Sequence, residues 1–409
     1  MKTVGIIAEY NPFHNGHAYQ LTKAKELADA DYAIVVMSGN FVQRGQPAIL
    51  EKSLRAKAAL LCGADLVIEL PVHYATASAE YFASGAAALL DKLGAADALC
   101  FGSECGDIGP LSELADALLT EDELFKSRLK RRLKEGVSYP QARNDALFAL
   151  SPQLAPLLEQ PNNILGLEYL KALKKRNSRI RPCTLSRVGG GYHDESLTAP
   201  YASALAIRES LTDTGDLLSI KEQVPPSVYE LMACHYRRTF PVFAKDLSFP
   251  LGCKLIQEAS ENFNRYFDID ECFSDRLRKF LPGYTDYPAF CEKLKTKNIT
   301  YARVSRGLLH ILLNIYQTDM EAFCADDYVY YARILGFRKE AAPLLSAVKA
   351  NTSIPLLSRL ADAGALIASG NGKRMLEQDI QASHLYALTI HHKFHQGFRN
   401  EYQKQLVIL

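Results

Sequence analysis

Two histidines, His14 and His17, have the type and spacing that most directly indicate chemistry in this chain. They lie in the run Asn-Pro-Phe-His-Asn-Gly-His, where an Asn-Pro turn precedes a helical pattern. Free backbone N–H groups and the positive end of the helix dipole favour a phosphate at such a helix start, and imidazoles can add donors from one side. During attack on an α-phosphate, charge builds on the phosphate oxygens and the leaving pyrophosphate, where N–H donors stabilise it. The run therefore predicts adenylyl transfer, with His14 and His17 as the catalytic pair.

The same histidine pair has two other interpretations. A His-x-x-His pair on a helix can ligate a metal ion, but no Cys, Asp or Glu lies beside it at the spacing of a zinc site, so no metal ligands are assigned. The two rings can also simply cap and pack a helix end. The preceding strand, the Asn-Pro turn and Gly16 together favour a nucleotide site, because a residue without a Cβ lets a base or ribose approach the backbone.

The elements that must position these histidines alternate between strands and helices. Strands are predicted at 3–8, 32–37, 66–70 and 98–101, and helices at 18–27, 51–62 and 79–93. This order is typical of a parallel, doubly wound sheet, in which ligands bind at the carboxyl ends of the strands. We therefore expect an α/β fold in which the loops that follow the strands meet at one crevice.

Small residues in two of these loops indicate where substrates fit. Gly102 follows the fourth strand, where a side chain would block a base or ribose, although a glycine there can also serve only the turn. Ser38, Gly39 and Asn40 follow the second strand and offer small polar donors for a carboxylate or phosphate. A tight pocket of this kind is compatible with acetate, but the spacing does not identify acetate.

Six segments in chain order resemble the tRNA(Met) cytidine acetate ligase family of the nucleotidyltransferase superfamily, whose (H/T)xGH motif follows the first strand. The segments are NPFHNGH at 11–17, MSGNFVQRG at 37–45, DLVIELP at 65–71, FGSE at 101–104, NNILG at 162–166 and SALAIR at 203–208. Several motifs in order over half the chain are far more specific than one histidine pair.

The resemblance implies an ATP site assembled from several segments. Its expected members are Ile7, Ala8, Glu9, Tyr10, Asn11, Pro12, Phe13, His14, Asn15, Gly16, His17, Ala18, Tyr19, Gln20, Gly102, Asn162 or Asn163, and Arg187. Arg187 precedes three consecutive glycines at 189–191, which lack the spacing and the Lys of a P-loop. The planar fork of Arg187 suits a triphosphate, and a surface salt bridge is the alternative.

Length and composition favour two domains. The chain has 409 residues, of which 48% are hydrophobic and 23% charged, enough for two cores. With the resemblance, we expect a nucleotidyltransferase-like (Rossmann-like) ATP-binding catalytic domain at residues 1–200 and a mainly helical tRNA-binding domain at 201–409. No charged n-region precedes an apolar run at the N-terminus, and no apolar stretch is long enough to cross a membrane, so we expect a cytoplasmic protein. Nine cysteines without Cys-x-x-Cys spacing suit reduced thiols.

The formal net charge of +1 excludes a crude basic nucleic-acid binder, so any RNA site must be local. Splitting the chain at residue 220 leaves a charge of −3 before it and +4 after it, which favours RNA on the second part. The candidate contacts are Lys295, Lys297, Tyr301, Arg303 and Arg306, where cations alternate with hydroxyls and a stacking ring. The equal alternative is a helix start capped by Thr300, with Val304, Leu308 and Leu312 facing the core.

Three further basic segments have the same ambiguity between RNA contact and a structural role. They are the cations at 126–134, the cations at 171–181, and the patch of Tyr328, Tyr330, Tyr331 and Arg333. Most charge runs are solvated helix faces, so charge alone does not select among them.

The function that the resemblance implies is an ATP-dependent ligase. Such an enzyme activates acetate as acetyl-adenylate and acetylates N4 of the wobble cytidine of elongator tRNA(Met), with Mg²⁺ expected to accompany ATP. A membrane partner and DNA are not expected. The alternatives are a small-metabolite adenylyltransferase, against which the long helical second half argues, and a non-catalytic tRNA-binding protein that holds ATP, against which the intact histidine pair argues.

Overall fold

The computed structural model describes residues 1–120, 123–137, 139–148, 151–187 and 201–409. All four predicted strands are present in it. The strands within these ranges are β1 (Thr3–Ala8), β2 (Tyr32–Ser38), β3 (Phe41–Val42), β4 (Gln46–Pro47), β5 (Leu66–Leu70), β6 (Ala98–Ser103), β7 (Arg181–Ser186), β8 (Ala332–Phe337), β9 (Leu356–Leu357) and β10 (Val407–Ile408).

Eight of these strands form one sheet. Its order is β10-β8-β5-β2-β1-β6-β7, with β9 beside β8, while β3 and β4 form a separate hairpin. The pairs from β5 through β2, β1 and β6 to β7 are parallel, and β8 is antiparallel to β5. The carboxyl ends of β1, β2, β6 and β7 therefore lie at one edge, as the predicted doubly wound sheet requires.

Helices alternate with these strands and fill most of the second half of the described chain. They are α1 (Asn15–Ala28), α2 (Lys52–Leu61), α3 (Val72–Ala75), α4 (Ala79–Leu93), α5 (Ile108–Thr120), α6 (Glu123–Lys134), α7 (Tyr139–Phe148), α8 (Pro161–Lys175), α9 (Ala204–Thr214), α10 (Pro226–His235), α11 (Ser248–Gln257), α12 (Glu271–Phe280), α13 (Tyr287–Leu294), α14 (Tyr301–Leu313), α15 (Gln317–Ala325), α16 (Ala342–Asn351), α17 (Ala363–Leu366) and α18 (Gly370–Phe394). None of these helices is long and apolar enough to cross a lipid bilayer.

The sheet has a hydrophobic core on each face. The apolar, β-branched runs of β1 and β2 suit strands that are buried on both sides. Alternate residues of β2 point to opposite faces, so Val35 packs in the core that holds Leu21 of α1, whereas Ile34 packs in the core that holds Leu90 of α4. The first part of the chain is therefore a three-layer α/β/α arrangement that fixes α1 against the edge where β1 ends.

The second half of the chain is mainly helical, as expected, but it also supplies β8, β9 and β10 to the sheet. The run Ala-Arg-Ile-Leu-Gly-Phe of β8 carries a buried Arg333, which breaks the apolar pattern that predicts a strand. Tyr331 and Arg333 are 1% and 8% exposed and so lie in the interior, whereas Tyr328 and Tyr330 of the same predicted patch are half-buried. The division at residue 200 remains a prediction about function, because the sheet itself extends across it.

Candidate active site

A cavity of about 270 Å³ lies where β1, β6 and β7 end, beside the start of α1. The predicted ATP residues that line it are Ile7, Ala8, Glu9, Tyr10, Asn11, His14, Gly16, His17, Tyr19, Gln20, Gly102, Asn162 and Arg187. Pro12, Phe13, Asn15, Ala18 and Asn163 are not lining residues. The three glycines at 189–191 lie outside the described residues.

The two histidines are fixed by the backbone of the first turn of α1. Nδ1 of His14 accepts a hydrogen bond from the Gly16 N–H at 3.1 Å, and Nδ1 of His17 accepts one from the His14 N–H at 3.3 Å. Their rings stack with centroids 3.7 Å apart. A neutral imidazole whose Nδ1 accepts carries its proton on Nε2. The geometry therefore assigns both rings the Nε2–H tautomer, which gives two adjacent N–H donors on residues that line the cavity.

Both rings are neutral at physiological pH. Burial, together with the positive charges of Arg187 and Arg208, lowers the pKa of His14 to about 3. Burial, with the neighbouring His14 and Arg187, lowers the pKa of His17 well below its ordinary value. The pair can thus donate hydrogen bonds to phosphate oxygens without first carrying charge.

The helix start differs in one respect from the sequence prediction. Free backbone N–H groups were expected there, but the Gly16 N–H is already bonded to the His14 ring. A Cβ on Gly16 would lie 2.9 Å from Cε1 of that ring, which gives a reason for glycine at this position besides ligand access. The imidazoles take the place of the first-turn N–H groups as the donors that face the cavity.

Arg187 and Asn162 form the opposite wall. The Arg187 guanidinium donates to Oδ1 of Asn162 at 3.1 Å, and Gly102 lies beside its side chain. Asn163 faces away, since its Oδ1 accepts from the Glu104 and Cys105 N–H groups at 3.0 and 3.2 Å. Of the two asparagines that the sequence left open, Asn162 is therefore the one at the cavity.

Ser38, Gly39 and Asn40 lie just behind the cavity and do not line it. Ser38 Oγ and Asn40 Nδ2 are buried and have no hydrogen-bond partner among the described residues. Oδ1 of Asn40 accepts from the Lys52 N–H at 2.8 Å, and a Cβ on Gly39 would lie 2.5 Å from the Glu69 carboxylate. The loop thus keeps two unsatisfied polar atoms in a tightly packed position.

The Arg55 side chain, which is fully buried, connects this loop to the loop that follows β1. Its guanidinium donates to the carbonyl oxygens of Glu9, Ser38, Gly39 and Leu50. Burial lowers its pKa to about 10, so it stays charged at neutral pH. Arg55 therefore fixes the ends of β1 and β2 relative to each other without contacting the cavity.

Two residues that support the site, Arg55 and Glu104, were not predicted from the sequence. The Glu104 carboxylate accepts from the N–H groups of Asn162 and Asn163 at 3.1 and 2.7 Å and so caps the start of α8. The FGSE and NNILG segments were each noted, and an acid paired with a helix start is the signal that connects them. Arg55 gives no such signal, because a lone arginine in an apolar helix does not reveal which carbonyls it contacts.

The candidate RNA contacts lie at the start of α14 and on the turn before it. Thr300 caps the helix by accepting from the Arg303 N–H, and Val304 and Leu308 are buried, so the capped helix start is confirmed. Arg303 pairs with Asp270 at 2.8 Å, Arg306 pairs with Asp268 at 3.0 Å, and Lys295 pairs with Glu292 at 2.7 Å. Tyr301 is half-buried, whereas Lys297 is exposed.

A metal site in a protein needs several His, Cys, Asp or Glu side chains close together. No group of three or more His, Cys, Asp or Glu side chains is arranged to hold a metal ion within the described part of the chain. Glu9 is the acidic residue on the cavity wall, and its carboxylate accepts from the Gln43 N–H at 2.8 Å.

The chain is similar to known proteins along nearly its whole length. A model of the HIGH Nucleotidyl Transferase family matches residues 1–401. The chain is 39% identical to the tRNA(Met) cytidine acetate ligase of Acetivibrio thermocellus, with 100% of both chains covered. It is 36% identical to that of Alkaliphilus metalliredigens, with 95% of both covered. Among solved structures, apo Thermotoga maritima TmcAL is similar with a TM-score of 0.94, and its form bound with alpha-thio ATP with a TM-score of 0.92, each at 31% identity over 100% of both chains.

Proposed function

The chain belongs to the HIGH nucleotidyl transferases and, among them, to the tRNA(Met) cytidine acetate ligase family, and from this membership we propose a two-step ligase reaction. In the first step a carboxylate oxygen of acetate attacks the α-phosphorus of ATP, and pyrophosphate leaves. In the second step N4 of the wobble cytidine of elongator tRNA(Met) attacks the acetyl carbon. AMP leaves, the nitrogen loses a proton, and N4-acetylcytidine forms.

The observation that carries the proposal is the pair of neutral Nε2–H donors at the cavity. Attack at the α-phosphorus increases negative charge on the phosphate oxygens and the departing pyrophosphate. Donors that are held in place before the reaction stabilise that charge without reorganisation. His14 and His17 are held in this way by the backbone of α1, and Arg187 on the other wall adds a planar fork for phosphate oxygens.

We place the acetate against Ser38 and Asn40. Their Oγ and Nδ2 atoms are buried donors without protein partners, and an unsatisfied buried donor costs about 1–3 kcal/mol. A carboxylate that accepted from both would remove that penalty. A Cβ on Gly39 between them would lie 2.5 Å from the Glu69 carboxylate, so little space remains beside these donors and a small acid suits them better than a large one.

Mg²⁺ fits this site as an ion that arrives with ATP. Magnesium in such sites is held chiefly by phosphate oxygens and water, with one or two carboxylates. Glu9 is the carboxylate on the wall that could serve, and the bound ion would neutralise charge on the leaving pyrophosphate.

For tRNA we retain Lys295, Lys297, Tyr301, Arg303 and Arg306 as proposed contacts. Lys297 is exposed and without an ion pair in the described part of the chain, so its charge is directly available to a phosphate. Arg303 and Arg306 would have to exchange their aspartate partners for phosphates, which reduces the gain from each.

The test is incubation of the protein with ATP, Mg²⁺, labelled acetate and unmodified elongator tRNA(Met), followed by nucleoside analysis. Labelled N4-acetylcytidine is the expected product. ATP turnover without labelled RNA would instead indicate a small-metabolite adenylyltransferase. The absence of both ATP turnover and labelled RNA would indicate a tRNA-binding protein. Either of these two results would overturn the proposal.

A further inference from the structure

We propose that a groove formed by α10, α18 and the segment that follows α18 binds the single-stranded anticodon loop of the substrate tRNA. This C-terminal groove has a volume of about 820 Å³, and its lining includes Glu51, His235, Arg238, Phe398, Arg399 and Lys404. The inference rests on the proposed function, since it names where that reaction's RNA lies.

The charge of the groove favours an anion. Arg238, Arg399 and Lys404 line it, whereas Glu51 is the acidic residue among the described lining residues. Glu51 is already paired with Lys404 at 2.7 Å. Arg238 and Arg399 are exposed and form no ion pair with a described residue, so each can meet a phosphate without giving up a carboxylate.

The other basic segments differ in this respect. At 126–134, Lys126 pairs with Glu123 and Arg132 pairs with Asp145. At 171–181, Lys174 pairs with Asp116, and Arg176 pairs with both Asp91 and Asp327. Ion pairs thus engage several cations of these two runs. Arg238 and Arg399 in the C-terminal groove have no ion pair with a described residue.

Aromatic rings stand beside the unpaired arginines. Phe398 is 45% exposed, Tyr402 is 58% exposed, and Arg399 lies between them in the chain. Phe398 also contacts the His384 ring, with centroids 5.7 Å apart, which holds it in place. Exposed rings interleaved with cations are what unstacked bases and their phosphates bind. A folded duplex offers no free base faces, so this combination favours a loop over a stem.

The groove also lies close to the reaction site. Asn11 on the cavity wall accepts from the Ile49 N–H at 2.8 Å, and Glu51 on the groove wall is two residues further along. Two residues span at most about 7 Å of chain. The walls of the histidine cavity and of the C-terminal groove therefore approach each other through Asn11 and Ile49, which places the proposed RNA site beside the reaction site.

The experiment compares wild type with Arg238→Gln/Arg399→Gln and with Phe398→Ala, in two assays. The first is acetate-dependent exchange of pyrophosphate into ATP, which needs no tRNA. The second is acetylation of tRNA(Met) at several salt concentrations. Lys349→Gln is the matched control, because Lys349 is exposed on α16, whose end packs near Gly94 at the opposite edge of the sheet.

We expect exchange to be unchanged in every variant. For the double variant, the KM for tRNA should rise about tenfold, and the salt slope should fall by about 1 per phosphate contact removed. Phe398→Ala should raise the KM with little change in the salt slope. A 17-nucleotide anticodon stem-loop should compete with tRNA on wild type and lose affinity for the double variant.

If wild type acetylates tRNA and the KM for tRNA is unchanged in the double variant, the proposal that the C-terminal groove binds the anticodon loop is overturned. Weaker tRNA binding with normal stem-loop binding would also overturn it, because the groove would then contact another part of the tRNA. Failure of wild type to acetylate tRNA at all would instead contradict the proposed function.

Discussion

Two buried regions rich in titratable groups differ in how they treat charge. One is the histidine pair at the start of α1, and the other is a set of ion pairs behind the Ser38 loop. At the start of α1, His14 and His17 are removed from water without a counter-ion, and they lose their charge. Behind the Ser38 loop, Lys52 pairs with Glu69 and Glu401, each at 2.7 Å, and Arg333 pairs with Glu401 at 2.8 Å.

The difference shows what each region can do. A buried imidazole without an opposite charge becomes neutral and keeps a hydrogen-bonding atom for a ligand, whereas a buried lysine or carboxylate with a charged partner stays charged and ties chain segments together. Glu401 illustrates the second case, since Lys52, Arg333 and Lys404 hold its pKa below the ordinary value of 4.5 against the effect of burial. We call Lys52, Glu69, Arg333 and Glu401 the ion cluster. In the proposed reaction the histidine pair donates hydrogen bonds to phosphate oxygens, and the ion cluster packs behind the Ser38 loop.

Removal of one charge from the ion cluster should have the largest effect. Glu401→Gln leaves Lys52 and Arg333 with one carboxylate between them, and such a break costs about 3–5 kcal/mol. The free energy of unfolding, measured by urea titration, should fall by that amount. Glu340→Gln, which removes an exposed partner of Arg338, is the control and should change stability far less.

The pH dependence of that loss has a definite sign. The folded-state pKa of Glu401 is depressed, so its contribution is complete above the unfolded value near 4.5 and is lost as the pH falls through and below it. The stability difference between wild type and Glu401→Gln should therefore shrink under acid. A difference that is constant from pH 7 to pH 3 would show that Glu401 is not held as an ion.

The His17→Asn variant should lose exchange activity while it keeps its stability. Asparagine keeps a polar acceptor for the His14 N–H but has no donor at the Nε2 position. Acetate-dependent pyrophosphate exchange should fall by about 10²–10³, the effect of removing one preorganised donor, while the urea midpoint changes little. The exposed His392 supplies the control, since His392→Asn should leave exchange intact. Near-normal exchange in His17→Asn would mean that the pair only caps α1.

The Arg55→Lys variant should have a smaller effect on stability and activity. Arg55 bonds carbonyls both in the loop that follows β1 and in the Ser38 loop. The lysine ammonium retains the charge and has three donors for the four carbonyls that Arg55 bonds, so we expect one carbonyl to be left unsatisfied, at a cost of about 1–3 kcal/mol. Because Ser38 and Gly39 lose their anchor, the KM for acetate should rise more than the KM for ATP. Equal changes in both constants would show that Arg55 only stabilises the fold.

The sequence predicted the parts of this molecule that depend on neighbouring residues. The alternation of apolar runs and turns placed β1, β2, β5 and β6, and the Asn-Pro turn placed the histidines at the start of α1. What it could not predict depends on contacts between distant segments. Lys52 meets Ser383 across 331 positions, and β8 joins β5 from the other half of the chain. The buried charges that form such contacts do not recur at a regular spacing in the sequence, so no sequence pattern predicts them.

The most direct test of the account is the protonation state of the His14 and His17 imidazoles, measured by ¹⁵N NMR of histidine-labelled protein between pH 5 and pH 8. We predict for His14 and His17 a bare Nδ1 and a protonated Nε2 throughout this range, with the Nε2 signals shifting on addition of ATP and Mg²⁺. An imidazolium at pH 6.5, or a proton on Nδ1, would contradict the assignment of the pair as neutral donors to the phosphates.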